Sequence, residues 1–158
     1  MPDSPDPIAD VSSLDVALAY RVHRLARLLR VHLTRVLATS APGVSPEQWF
    51  LLFRLFERGG RSQSELTDPV LDDRPNVSRQ VTGLVAAGLV ARTPDLEDGR
   101  RMLLKLTAEG QAQVETLLGA VVEERGKLFS GVSPDAIGTF SDVLGSITDA
   151  VSDTVTAD

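Results

Sequence analysis

The chain has 158 residues, 42% of them hydrophobic, which is enough to bury a core and falls in the range of roughly 100–200 residues typical of one domain. Cysteine is absent, so disulfides, thiol catalysis and thiolate metal sites are excluded. The formal charge of −6 constrains the partners less than its distribution does.

That distribution is segmental. Residues 11–40 hold Arg21, Arg24, Arg27, Arg30 and Arg35 against Asp15. Residues 74–105 hold Arg74, Arg79, Arg92, Arg100, Arg101 and Lys105 against Asp95, Glu97 and Asp98. From residue 106 onward only Arg125 and Lys127 offset the acids, so base and acid are kept apart along the chain.

No run approaches the ~18 consecutive apolar residues of a membrane helix. The opening, "MPDSPDPIAD", is acidic and proline-rich instead of basic then apolar, so a cytoplasmic protein with no membrane partner is expected. Residues 1–11 have almost nothing to bury and read as a disordered N-terminal arm. From Ser12 or Ser13 to about residue 40, Leu14, Leu18, Val22, Leu25, Leu29, Leu33 and Val36 recur every three or four residues, the pattern of a long amphipathic helix. His23 and His32 lie on it nine residues apart, on opposite sides at ~100° per residue, which cannot form a chelating pair. No metal and no cofactor are expected.

Pro42 and Gly43 end that helix, and Ser45-Pro46-Glu47-Gln48 opens the next with a cap, a first-turn proline and a capping-box glutamine. Its run "WFLLFRLF" at 49–56 should be buried, and Gly59-Gly60 stops it. Ser62-Gln63-Ser64-Glu65 is a second capping box, starting a helix of about two turns through Leu66 and Val70 that Pro69 must shorten or distort. Asp72 or Asp73 caps the following helix, with Arg74 and Pro75 in its first turn, Val77, Val81, Leu84 and Val85 on one side, and Gly88 at its end. Residues 89–93 and 101–106 read as two strands, and Asp98-Gly99 between them tolerates the positive φ of a hairpin turn. Thr107 caps a fifth helix with Val114, Leu117, Leu118, Val121, Val122 and Leu128 as its apolar face, closed by Gly131. Ser133-Pro134-Asp135 opens a sixth, bearing Ile137, Phe140, Leu144, Ile147 and Val151.

Helix, short helix, helix with a polar N-terminal half, then a hairpin is the order of a winged helix-turn-helix, whose last helix enters a major groove ~12 Å wide. The early residues of that helix suit the task. Asn76 and Gln80 match adenine, Arg79 matches guanine, and Ser78 matches phosphate or base, with Arg74 at the helix start. The expected fold class is mainly α with one β-hairpin wing, a winged helix-turn-helix over 45–106 embedded between long dimerisation helices at 12–40 and 107–156.

"ELTDPVLDDRPNVSRQVTGLVAAGLVAR" at 65–92 and "DGRRMLLKLTAEG" at 98–110 resemble the MarR family of winged-helix transcription factors, the second block through Asp98, Arg100, Leu106, Thr107 and Gly110. "SPEQWFLLFRL" at 45–55 is similar to the family's second helix. The resemblance implies a homodimer binding a pseudo-palindromic site in double-stranded DNA, as a repressor more than an activator. It implies that Arg100 enters the minor groove with Asp98 as its brace, in keeping with the negative potential of a narrow minor groove. Arg101 either helps at the phosphate backbone or points into solvent. The family also binds small aromatic or phenolic anionic effectors, for which Arg21, His23 and Trp49 are the candidates. Alternatively, the first-helix arginines pair with Glu115, Glu123, Glu124, Asp142 and Asp149 across the dimer. Pro69, Pro75 and Leu71-Asp72 depart from the family pattern, and Asp68, Asp72 and Asp73 set negative charge near the expected phosphate path. With no Gly-x-Ser-x-Gly elbow and no phosphate loop, an enzyme is not expected. The competing reading is a winged helix that has become a protein-interaction module without DNA binding.

Overall fold

The computed structural model describes residues 17–67, 74–96 and 98–156 of the chain. It divides into two compact units, Met1–Pro46 and Glu47–Asp158. The first contains α1 (Leu18–Ser40), whose last turn buries Leu37 while Leu18, Val22, Leu25, Leu28 and Leu29 stay exposed. The expected start at Ser12 or Ser13 and the N-terminal arm lie outside the described residues.

The boundary between the units falls after the first residue of α2 (Pro46–Arg58), which ends where Gly59 takes φ +70°, a conformation that disfavours any residue with a Cβ. Its apolar run is buried at Trp49, Leu51, Leu52 and Leu55, whereas Phe50 and Phe56, expected to be buried with it, stay exposed. Trp49 packs against Phe53 with ring centroids 5.5 Å apart and the rings tilted by 32°. Next, α3 (Gln63–Leu66) is a single turn, shorter than the two turns expected. Its capping box is complete: the Ser62 hydroxyl accepts from the Glu65 N–H, and the Glu65 carboxylate accepts from the Ser62 N–H at 2.8 Å. The turn stops at Thr67 because a helix running on to Pro69 would drive its ring into the Glu65 carbonyl. Val70 and the Asp72 or Asp73 cap lie outside the described residues.

α4 (Arg74–Ala86) buries Val77, Val81 and Leu84 on one face, with Val85 half-buried beside them. Gly88, at φ +74°, turns the chain into β1 (Val90–Pro94), which pairs antiparallel with β2 (Met102–Leu106) from Val90↔Leu106 to Pro94↔Met102. A third contribution to this sheet has no counterpart in the sequence reading. Arg61 forms an isolated bridge to Leu104, its N–H donating to the Leu104 carbonyl at 3.1 Å and its carbonyl accepting from the Leu104 N–H at 2.7 Å. The linker between α2 and α3 thereby holds the hairpin, and Leu104 is buried between two strand partners.

α5 (Ala108–Leu128) and α6 (Pro134–Thr156) complete the chain, and both caps form as expected: Thr107 Oγ1 accepts from the Gly110 N–H at 3.0 Å and Ser133 Oγ from the Ala136 N–H at 3.2 Å. The expected apolar face of α5 is buried only in its first half, at Val114 and Leu117. Val122 and Leu128 are exposed, as are Phe140, Leu144, Ile147 and Val151 of α6. The helical period was read correctly, but within one chain these stripes have no covering layer. No helix among the described residues is long and apolar enough to cross a membrane.

Candidate nucleic-acid interface

On α4 the buried residues sit at steps of four and three, which sends the residues between them to the opposite side of the helix. Arg74, Ser78 and Arg79 are accordingly exposed, while Asn76 and Gln80 are half-buried at its flank. The Gln80 Nε2 donates to Asn76 Oδ1 at 3.4 Å, so the two amides one turn apart are already aligned with each other. Side chains fixed in this way can present donor and acceptor edges with less loss of rotamer freedom on binding. Of the five sequence-predicted residues of this helix, Arg74, Ser78 and Arg79 thus lie on the exposed side and Asn76 and Gln80 on its flank.

The wing extends the hairpin by a loop from Asp95 to Arg101. The Asp95 N–H donates to the Arg101 carbonyl at 2.9 Å, and the Arg101 N–H to the Asp98 carbonyl at 2.8 Å, making a turn of Asp98-Gly99-Arg100-Arg101. Gly99 does not adopt positive φ, unlike Gly43, Gly59 and Gly88, so the loop is not the tight mirror-image turn that Asp-Gly suggested. The Asp98 carboxylate accepts the Arg100 main-chain N–H at 3.1 Å. What Asp98 fixes is the turn that carries Arg100, leaving the Arg100 side chain exposed at the loop.

Arg101, exposed at the end of the turn, also has a partner within the chain. Its Nη2 donates to Glu65 Oε2 at 3.1 Å, with both side chains about half exposed. Glu65 is the capping-box residue of α3, and the Ser62 hydroxyl also donates to its Oε2, at 2.6 Å. The Ser62 bonds, ahead of the Arg101 guanidinium, hold the Glu65 carboxyl below its ordinary range. A second residue absent from the sequence reading is Arg54 of α2, whose Nη1 donates to the Leu66 carbonyl at 2.6 Å and so satisfies the end of α3. Both pairings join residues far apart in the chain, and nothing local in the sequence signals them.

The effector candidates are divided between the two units. Arg21 and His23 are exposed on α1 in the first unit, and Trp49 is 5% exposed and packed against Phe53 in the second. Of the acids considered as partners for the first-helix arginines, Glu123 and Glu124 hold Lys127 of their own helix, at 2.8 and 2.7 Å. Among the described residues no group of three metal-ligating side chains occurs.

Residues 44–102, spanning α2 to the start of β2, match the model of the MarR family. Over 82 residues the chain is 35% identical to the HTH-type transcriptional regulator FarR of Neisseria gonorrhoeae, covering 52% of this chain and 56% of that one. It thus spans little more than half of that relative's length. Among solved structures, it is similar to the PcaV transcriptional regulator of Streptomyces coelicolor in complex with its natural ligand, at 25% identity and a TM-score of 0.71, covering 88% of this chain and 96% of that one. It also has the fold of the transcriptional repressor CouR bound to a 23-mer DNA duplex, at 24% identity and a TM-score of 0.78 over 88% and 97% of the two chains. The architecture is that of these winged-helix regulators.

Proposed function

This chain carries a MarR-family winged helix-turn-helix, and from that premise we propose that it is a homodimeric, ligand-responsive repressor of transcription that acts from the cytoplasm on a pseudo-palindromic DNA site. The observation that carries the reading is the pairing of two features: the polar side chains of α4, with Arg74, Ser78 and Arg79 exposed, and a wing turn in which Asp98 sets the main chain of Arg100. Arg74 and Ser78 contact the backbone at the mouth of the major groove. Asn76, Arg79 and Gln80 meet base edges, where each good bidentate pair discriminates by ~1–3 kcal/mol. Arg100 enters the flanking minor groove, drawn by its potential.

The dimer reading is supported by the apolar residues left exposed along α1 and α6. The ligand-responsive reading is supported by PcaV, which has been solved with its natural ligand. In this chain a small aromatic or phenolic anion would meet Arg21 or His23. Trp49 is a poorer candidate, since its ring is buried and already packed against Phe53. The ligand would act by shifting the separation of the two winged domains, a coupling of ~1–3 kcal/mol.

Selection of binding sites from a random-sequence duplex library, followed by gel retardation, tests the reading. Arg100→Ala should weaken binding to every selected duplex alike, whereas Asn76→Ala and Arg79→Ala should change which bases are preferred. A chain that enriches no duplex would instead be an interaction module. A thermal-shift screen of small aromatic acids tests the effector, because a ligand that binds the folded state alone raises its melting temperature.

A further inference from the structure

Two arginines stand side by side at the wing, and the structure treats them in opposite ways. Arg100 is exposed on a turn tied down at its main chain, whereas the Arg101 guanidinium reaches across to Glu65 on α3. Glu65 is itself fixed, because its Oε2 accepts from both the Ser62 N–H and the Ser62 hydroxyl while its own N–H is held by the Ser62 side chain. A flexible surface ion pair usually contributes little, since two long side chains must be ordered to form it. Here the acid has been ordered in advance by the capping box, so the pair forms at the entropic cost of the arginine alone. Its location adds a mechanical role. The Arg61 bridge to Leu104 fastens the middle of β2 to the α2–α3 linker, and Arg101, just before the start of β2, is a second tie to the same region.

We propose that Glu65 is a positioning residue for the wing: it withholds Arg101 from the DNA phosphates and uses it as a strut from α3, so that Arg100 alone is presented to the groove. This rests on the DNA-binding reading above and makes a claim of its own, that the neighbouring arginines differ in kind.

The salt dependence of binding separates the two roles, because each phosphate contact adds about 0.9 to the slope of log affinity against log salt on duplex DNA. Glutamine at position 65 keeps the acceptor that a capping box requires while removing the charge that holds Arg101. Fluorescence anisotropy on the selected duplex, across a salt series, would compare wild type with Glu65→Gln, Arg101→Gln and the double variant. Arg101→Gln should leave the slope unchanged. Glu65→Gln should steepen it by about 0.9 per protomer as the released arginine finds a phosphate, and the double variant should lose that increment. A flatter slope for Arg101→Gln alone, or an unchanged slope for Glu65→Gln, overturns the proposal. If the wild type binds no duplex, it is the DNA-binding reading that has failed. The pairing is then read without DNA, from the solvent exchange of the Arg101 Nη2 protons by NMR at low temperature: faster exchange in Glu65→Gln supports the strut, and unchanged exchange removes it.

Discussion

At the scale of single residues, the Leu-Thr-x-x-Gly stretch from Leu106 to Gly110 shows how much a few atoms fix. Thr107 makes three connections at once: its hydroxyl accepts from the Gly110 N–H, the same hydroxyl donates to the Gly88 carbonyl at 2.6 Å, and its own N–H donates to the Leu89 carbonyl. It caps α5 and clamps that helix to the turn that leaves α4. Gly110 follows from this clamp, because a Cβ there would overlap the Leu89 carbonyl oxygen and lie 2.9 Å from its carbon, and neither is a flexible side-chain end that could move aside. Gly110→Ala should therefore destabilise the fold by about 2 kcal/mol or more, the upper part of the range for overpacking, as read by urea denaturation. Thr107→Ala should cost about 1 kcal/mol or more through the lost cap, and Thr107→Ser much less. Glu65 makes a prediction in pH. Its carboxyl is lowered in the folded state, first by the Ser62 side chain, so its stabilising contribution is complete above the unfolded value of about 4.3 and is lost as pH falls through the lower folded value. The melting-temperature gap between wild type and Glu65→Gln should be constant near neutrality and close in acid. A gap that widened in acid would contradict the sign of the shift.

At the scale of elements, α3 is the weakest piece by itself. One turn forms a single helical hydrogen bond of the ordinary kind, from the Thr67 N–H to the Gln63 carbonyl, and cannot repay its own nucleation. It is held from outside by the Ser62–Glu65 box at one end and by Arg54 donating to the Leu66 carbonyl at the other. Arg54→Met keeps much of the side-chain packing and removes that donor, so the Thr67 amide should exchange with solvent roughly ten- to a hundredfold faster, the equivalent of ~1–3 kcal/mol for a carbonyl left unpaired. Exchange at wild-type rate would show that α3 does not depend on α2 for its end. What was legible in the sequence divides along the same line. Caps, breakers and helical period are local, so Ser62, Thr107, Ser133, Gly59 and Gly88 could be read directly, as could the buried face of α4. The Arg61 bridge, the Arg54 contact and the Arg101 to Glu65 pair each join residues whose separation in sequence says nothing about their meeting in space. The candidate site was thus visible as a set of residue types, while the ties that orient it were not.

At the scale of the whole molecule, the remaining fact to explain is how much apolar surface a single chain leaves in water. Phe140, Leu144, Ile147 and Val151 recur at steps of four, three and four along α6, and Leu18, Val22, Leu25 and Leu29 do so along α1. Scattered exposed leucines need no cause, but stripes spanning whole helices mark an interface. Glutamate at Ile147 or Phe140 leaves the fold of one protomer untouched, because both side chains are more than 40% exposed there, yet it would set an unpaired charge inside a dimer contact. Each variant should melt as a folded chain and sediment as a monomer at concentrations where wild type is dimeric, a loss of about 2 kcal/mol or more of association energy. DNA binding should then separate by site. On a full palindrome the variants lose the gain that comes from linking two half-sites, whereas on an isolated half-site they bind as wild type does. A wild-type chain that sediments as a monomer would refute the dimer, and equal losses on both DNA sites would mean that the substitutions had damaged the winged domain itself.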